Sequence, residues 1–198
     1  MINFVDPSGE KPFEIIHNLY NLALAAKQKN INAIAISSFN SEKKEVDSRF
    51  VNLKFIKDNQ LIFFTNYNSP KSIAFKSHPQ ITALLYWSSI NVQIRMKAKL
   101  KKTSKEYNQE YFFNRSKEKN ALAISSNQSK RIDSFNKVKM NFKKSLKHDD
   151  LKKCPKYWGG YAFIPYEIEF WEGNESRLNK RDLYKKDNDK WNHYILEP

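Results

Sequence analysis

Apolar residues spaced three and four apart open the chain. Phe13, Ile16, Leu19, Tyr20, Ala23 and Ala26 fall on one face between positions 12 and 29, which predicts an amphipathic helix as the first element. From there the period drops towards two. Short runs rich in β-branched and aromatic residues cover 33–39, 49–56, 61–65, 81–87 and 92–100, and each reads as a strand. Asp58-Asn59-Gln60 separates two of them as a hairpin turn does. Pro70 suits the first turn of a short helix that runs through Phe75 and stops before Pro79. Helical spacing returns from Ser104 to Lys147, as two or three helices, with Thr103-Ser104 as the first cap and Glu106 close behind. The last third goes back to strands, over 157–164, 167–171, 177–185 and 191–196. Antiparallel strands in two groups around a helical insertion predict a mainly β fold of the α+β class, a small barrel with flanking helices. The expected organisation is one domain over 1–198: an N-terminal helical segment (1–30), a helical insertion (104–150) and C-terminal strands (157–198) that complete the barrel.

Composition agrees with a folded chain and narrows its partners. With 198 residues, 40% hydrophobic and 14% aromatic, the sequence is long and apolar enough to bury one core. No apolar run reaches bilayer length, and the N-terminus lacks the charged-then-apolar order of a signal peptide, so a cytoplasmic location without membrane association is expected. Cys154 stands alone, and His17, His78, His148 and His193 are scattered without ligand spacing, so no metal site is predicted. The net charge of +14 invites a nucleic-acid reading. Its densest stretches, 97–102 and the lysines of 137–156, lack interleaved aromatics, and no helix-turn-helix or zinc-finger spacing appears. A solvated lysine-rich surface is the expectation, with attraction of small anionic ligands as the alternative, and no nucleic-acid partner is expected. With only four glycines, neither a dinucleotide fingerprint nor a phosphate loop can be written. A nucleotide-like cofactor has to be held by side chains.

That requirement draws attention to arginine. Of 35 basic residues only six are arginines: Arg49, Arg95, Arg115, Arg131, Arg177 and Arg181. A flat, forked cation grips phosphate through paired hydrogen bonds, which lysine cannot do. In SRFVNLK (48–54), strand alternation puts Arg49 and Lys54 on opposite faces. In FFTNYNSPKS (63–72), Thr65, Ser69 and Lys71 bring hydroxyls, amides and a cation to a helix start. That is a phosphate cradle, although a capped helix with a surface lysine explains the segment equally well. Tyr111 and Arg115 share a helix face, as a phosphate site or as an ordinary surface pair. Gln128 and Ser129 in SNQS (126–129) offer polar edges. After Gly173, strand alternation puts Arg177, Asn179 and Arg181 on one face, suited to an anionic site.

Taken in order, these segments resemble the pyridoxine/pyridoxamine 5′-phosphate oxidase family. WGGY…IEFW-x-G-x-x-x-RL-x-x-R is the most specific block, and SRxVxLK, FFTN-x-x-S-x-K and Y-F-x-x-R precede it in the family's order. The resemblance implies an FMN-binding split β-barrel that forms a homodimer, with FMN at the interface and the strands of 157–198 completing the dimer site. It implies FMN contacts from Arg49, Lys54, Phe64, Thr65, Lys71, Gln93, Gln128, Ser129, Trp171 and Arg181. It further implies that Lys54, Tyr111 and Arg115 hold a substrate phosphate, with Arg177 over the pyridine ring. The implied reaction oxidises pyridoxamine or pyridoxine 5′-phosphate to pyridoxal 5′-phosphate, with dioxygen as acceptor and hydrogen peroxide as by-product.

Several positions depart from the family's pattern. Pro70 stands where the family has an arginine, Lys119 replaces a serine that helps hold the substrate phosphate, and Asn179 replaces a histidine beside Arg177 at the catalytic position. A motif normally reading R-Q-V-R-x-E-G becomes Val92 to Ala98, in which Arg95 has no implied role. The alternative is a related split-barrel FMN oxidoreductase with another substrate, as in the phenazine-pathway oxidases.

Overall fold

The computed structural model describes residues 1–198. Its first helix, α1 (Lys11–Ala25), keeps the expected stripe: Phe13, Ile16, Tyr20 and Ala23 are buried, and Pro12 occupies the first turn, where its missing N–H costs nothing. A strand the sequence pattern did not announce comes before it. Residues Asn3–Pro7 form β1 and run parallel to a segment some fifty residues later. Short, mostly exposed and ending on proline, β1 has no period of its own to read.

The remaining strands are β2 (Ala33–Asn40), β3 (Glu45–Asp58), β4 (Gln60–Asn66), β5 (Gln80–Trp87), β6 (Val92–Lys102), β7 (Trp158–Glu172), β8 (Lys180–Asp187) and β9 (Lys190–Ile195). Pairing runs β3-β2-β5-β6-β7, and β4 pairs with both β3 and β7. These six strands therefore close a ring, which removes their free edges. β1 is appended to β3, and β8 and β9 extend from β7. The inward faces of the ring and the α1 stripe form one buried apolar cluster. Short α2 (Pro70–Ser77) follows β4; α3 (Lys105–Phe113), α4 (Lys117–Ser125) and α5 (Phe135–His148) make up the insertion. Ser104, Ser116 and Ser134 cap these three, each accepting a backbone N–H from the third residue onward.

Three details differ from the sequence pattern, each with a physical reason. β7 is one strand of fifteen residues, not two. Pro165 is accommodated where the register with β6 slips, Lys97 facing Glu167 while Ala98 faces Pro165, so the missing donor falls at a bulge. β3 also carries a bulge: Leu53 faces Phe63 and Phe55 faces Ile62. The extra residue is Lys54, and alternation from Arg49 therefore holds only as far as Leu53. Lastly, β8 begins at Lys180, so Arg177 and Asn179 do not alternate with Arg181 on a strand. They belong to a turn in which Arg177 has φ 62°. There Asn174 Oδ1 accepts from Ser176, and Asn179 Oδ1 accepts from the Asn174 amide.

Candidate functional site

A cleft of about 800 Å³ opens on one side of the ring, a size suited to a cofactor with its substrate. β3 supplies Arg49 and Lys54, the end of β4 supplies Phe64 and Thr65, and the start of α2 supplies Pro70 and Lys71. The insertion adds Tyr111, Arg115 and Lys119 from α3, α4 and the turn between them, followed by Gln128 and Ser129. Pro70 aside, ten residues singled out by motif thus line one cavity. Arg49 and Lys54, expected on opposite strand faces, both reach it, and the bulge at Lys54 is what breaks the alternation.

Five cations line this cleft against a single carboxylate, Asp47. Arg49 is the one that Asp47 pairs with, and it also donates to Ser38 Oγ at 2.9 Å and to the Ile36 carbonyl at 3.3 Å. Lys71 is buried, and its Nζ finds only hydroxyls, Thr65 Oγ1 at 3.0 Å and Ser69 Oγ at 3.2 Å. Burial, reinforced by the nearby charge of Arg49 and opposed by Asp47, pushes its pKa down to about 8. Lys54 is likewise shifted below the ordinary lysine value, by burial and then by the charges of Lys119 and Arg115. Burial also lowers Arg115. Its guanidinium lies 4.4 Å from the Trp158 ring centroid, Nη2 donates to the Lys119 carbonyl at 3.3 Å, and Nη1 is buried without a partner. Cations held together against their own repulsion, one with an unpaired buried donor, make a site built for an anion.

An aromatic wall backs these charges. Phe64 stacks on Tyr111 at 3.8 Å between ring centroids and on Trp158 at 5.2 Å. Burial raises the Tyr111 phenol above its ordinary pKa, with Arg115 opposing, so it remains a neutral donor at physiological pH. Gln128 Oε1 accepts from Thr65 Oγ1 at 3.2 Å and from the Asn66 amide at 3.3 Å, which ties the loop after α4 to the end of β4. Motif reading quoted Trp158 within WGGY but gave it no site role, and it passed over Asp47, two residues before Arg49.

The other singled-out residues lie outside the cleft. Gln93 on β6, Trp171 on β7 and Arg181 on β8 are directly opposite one another across the three strands. Arg177 and Asn179 occupy the turn that leads into β8. This second group sits at the far end of β7 from Trp158, a separation of up to roughly 40 Å along an unbent strand. Arg95 turns out to be an ion-pair residue that grips Glu169, and Arg131 is exposed.

Comparison with known proteins bears directly on this arrangement. The sequence model of the pyridoxine 5′-phosphate oxidase C-terminal dimerisation region matches residues 158–198, which include the whole second group except Gln93. A pyridoxine/pyridoxamine 5′-phosphate oxidase of Burkholderia cenocepacia is 34% identical over 177 residues, 89% of this chain and 82% of that protein. One from Leptospira interrogans is 29% identical over 197 residues, 98% of this chain and 92% of that protein. Among solved structures, PhzG from Burkholderia lata, in complex with tetrahydrophenazine-1-carboxylic acid, superposes with a TM-score of 0.90 at 25% identity, covering 98% of this chain and 95% of that one. A pyridoxamine 5′-phosphate oxidase-related, FMN-binding protein from Nostoc punctiforme shares the fold at TM-score 0.77 and 15% identity, over 91% of this chain and 96% of that one.

Proposed function

The chain belongs to the pyridoxine/pyridoxamine 5′-phosphate oxidase family of FMN-dependent oxidoreductases, and on that premise we propose that it oxidises pyridoxamine or pyridoxine 5′-phosphate to pyridoxal 5′-phosphate, with dioxygen as acceptor and hydrogen peroxide as by-product. The observation that carries this reading is the set of unpaired cations in the cleft. Lys54, Lys71 and Arg115 have no carboxylate partner, and Arg115 keeps a buried free donor. Two phosphate-bearing ligands, cofactor and substrate, answer that surplus better than one neutral molecule does.

In this reading Arg49, Thr65, Lys71, Gln128 and Ser129, with Lys54 and Phe64 beside them, hold FMN. Lys54, Tyr111 and Arg115 hold the substrate phosphate, and Lys119 adds charge where the family carries a hydroxyl. Each charge-assisted bond contributes about 1.5–3 kcal/mol, which goes into orienting the substrate rather than into chemistry. When bound, FMN supplies the two-electron acceptor for the substrate's C4′ carbon, and dioxygen restores it. The residues' task is to bind, orient and neutralise.

Gln93, Trp171 and Arg181, proposed to meet the cofactor, and Arg177 and Asn179, proposed to meet the substrate, complete the site from a second copy of the chain. The whole of 1–198 then acts as one domain of a homodimer. Supporting this, the dimerisation-region match covers four of those five residues. Large apolar side chains are also exposed beside both groups: Val46 and Phe50 near the cleft, Leu178 and Ile195 near Arg181. Such residues are what a partner surface covers.

The test is the visible spectrum of the purified protein before and after anaerobic addition of pyridoxamine 5′-phosphate. Bleaching of the flavin band is expected; a protein that retains FMN and does not bleach would sink the assignment. A second reading, a related FMN oxidoreductase with a different substrate, is favoured by Asn179 being engaged in its own turn, by Pro70 lacking an N–H, and by the closeness of the fold to PhzG. Tight retention of added pyridoxal 5′-phosphate argues against it.

A further inference from the structure

Behind the row of Gln93, Trp171 and Arg181 lies a second row. Arg95, Glu169 and Leu183 are opposite one another across β6, β7 and β8, two residues along from the first set, so both rows share one face of the sheet. Glu169 is only 4% exposed, and one guanidinium takes each of its oxygens. Arg95 donates to Oε2 from Nε at 3.1 Å and from Nη2; Arg181 donates to Oε1 from Nε at 2.9 Å, with Nη2 2.8 Å away. The remaining nitrogen of Arg181, Nη1, donates to the Glu197 carbonyl at 2.9 Å, and the Leu196 amide donates to the Arg181 carbonyl at 3.0 Å. Burial works to raise the Glu169 pKa, but the hydrogen bonds and charges of Arg95 and Arg181 outweigh it and hold it below the usual carboxylate range.

A carboxylate this buried is costly unless fully paired, and nothing in the proposed chemistry needs an acid here. Its geometry answers a different need. An arginine on a half-exposed strand has four rotatable bonds, and its grip on an anion is only as good as the orientation of its fork. We propose that Glu169 is a positioning residue: it fixes the guanidinium of Arg181 for the cofactor, and Arg95 is the second clamp that holds Glu169 in place. This assigns Arg95 a role and rests on the reading that Arg181 meets FMN. Arg181 retains unengaged N–H groups on its terminal nitrogens for that purpose. The carboxylate also cancels one of two neighbouring positive charges, so the pair does not splay apart.

The experiment measures FMN dissociation constants by flavin fluorescence on purified wild-type protein, Glu169→Gln, Arg181→Lys and the double variant, with thermal melts alongside. Glu169→Gln keeps the shape and removes the charge. FMN affinity is expected to fall about tenfold in each single variant, with the double variant no worse than Arg181→Lys alone. Unchanged affinity in Glu169→Gln, or losses that simply multiply in the double variant, overturns the proposal. Unchanged affinity in Arg181→Lys instead overturns the reading beneath it. If Glu169→Gln does not fold, Arg95→Lys loosens the same carboxylate from its other side. A loss of about threefold, absent in the Arg181→Lys background, is then expected, and no loss overturns the proposal.

Discussion

Lys71 carries two pH responses of opposite sign. Its folded pKa of about 8 lies below the ordinary 10.5, so between those values the unfolded chain binds a proton that the folded chain does not. The unliganded protein is therefore penalised at pH below 8 and gains stability as pH rises from 8 towards 10.5. In the proposed site anion binding needs the charged lysine, so affinity for FMN should fall as pH rises through about 8. Fluorimetric titrations and thermal melts at pH 7 and 9 should show these opposite trends. Lys71→Met should flatten both and raise the melting temperature of the unliganded protein; parallel trends would contradict this account. Arg115 gives a second check. Arg115→Lys keeps the charge but loses the fork and the stacking on Trp158, so KM for the phosphorylated substrate should rise about tenfold, with a smaller change in kcat. Both residues were legible in the sequence because cations with hydroxyl or phenol neighbours form short motifs. The burial of Lys71 was not, since it depends on packing between α2 and the ring. The pairing of Arg95 with Glu169 was hidden too, since its partners lie 74 positions apart.

At the scale of elements, the glycine pair that starts β7 fixes how the insertion meets the ring. A Cβ at 159 would collide with the Tyr67 hydroxyl and stand 2.5 Å from Asn108 Nδ2; one at 160 would stand 2.6 Å from Thr103 Oγ1. Those polar groups form one network, in which Asn108 Oδ1 accepts from the Gly160 amide at 2.8 Å and Tyr67 Oη donates to the Gly160 carbonyl at 3.0 Å. Gly159→Ala should therefore cost about 1–3 kcal/mol, lowering the melting temperature by roughly 3–10 °C; an unchanged melt would refute the close approach. Motif reading marked this pair, and periodicity found α1, the five central strands and the helical region. It divided β7 at Pro165 and started the next strand too early, at Arg177. Period and proline reveal local preference, whereas a bulge that absorbs a proline, or a turn that holds an arginine at φ 62°, is decided by the neighbouring strand and by side chains such as Asn174. β1 was missed for the same reason, because its only partner is distant in sequence.

For the whole molecule, the closed ring keeps its core within one chain, while the proposed site does not stay within one chain. Ten motif residues share the cleft, and five more lie at the other end of β7. If a second copy brings those five to the cleft, cofactor retention and association are thermodynamically linked. FMN should then be released on dilution over the same concentration range in which the dimer dissociates, followed by sedimentation and flavin fluorescence. Release that is independent of protein concentration would place the whole site in one chain. Motif order held both groups of residues but no distance between them; that the strands of 157–198 complete a dimer site was implied only by the family resemblance.

That separation along β7 has a genetic consequence. A chain with a defective cleft, such as Arg115→Ala, still offers a sound Arg181, and a chain with Arg181→Ala still offers a sound cleft. In the proposed dimer, each variant alone leaves both sites spoiled. Expressed together, a mixed dimer pairs the two lesions in one site and leaves the other intact. Random pairing makes about half of the dimers mixed, so two inactive alleles should together restore about a quarter of wild-type activity.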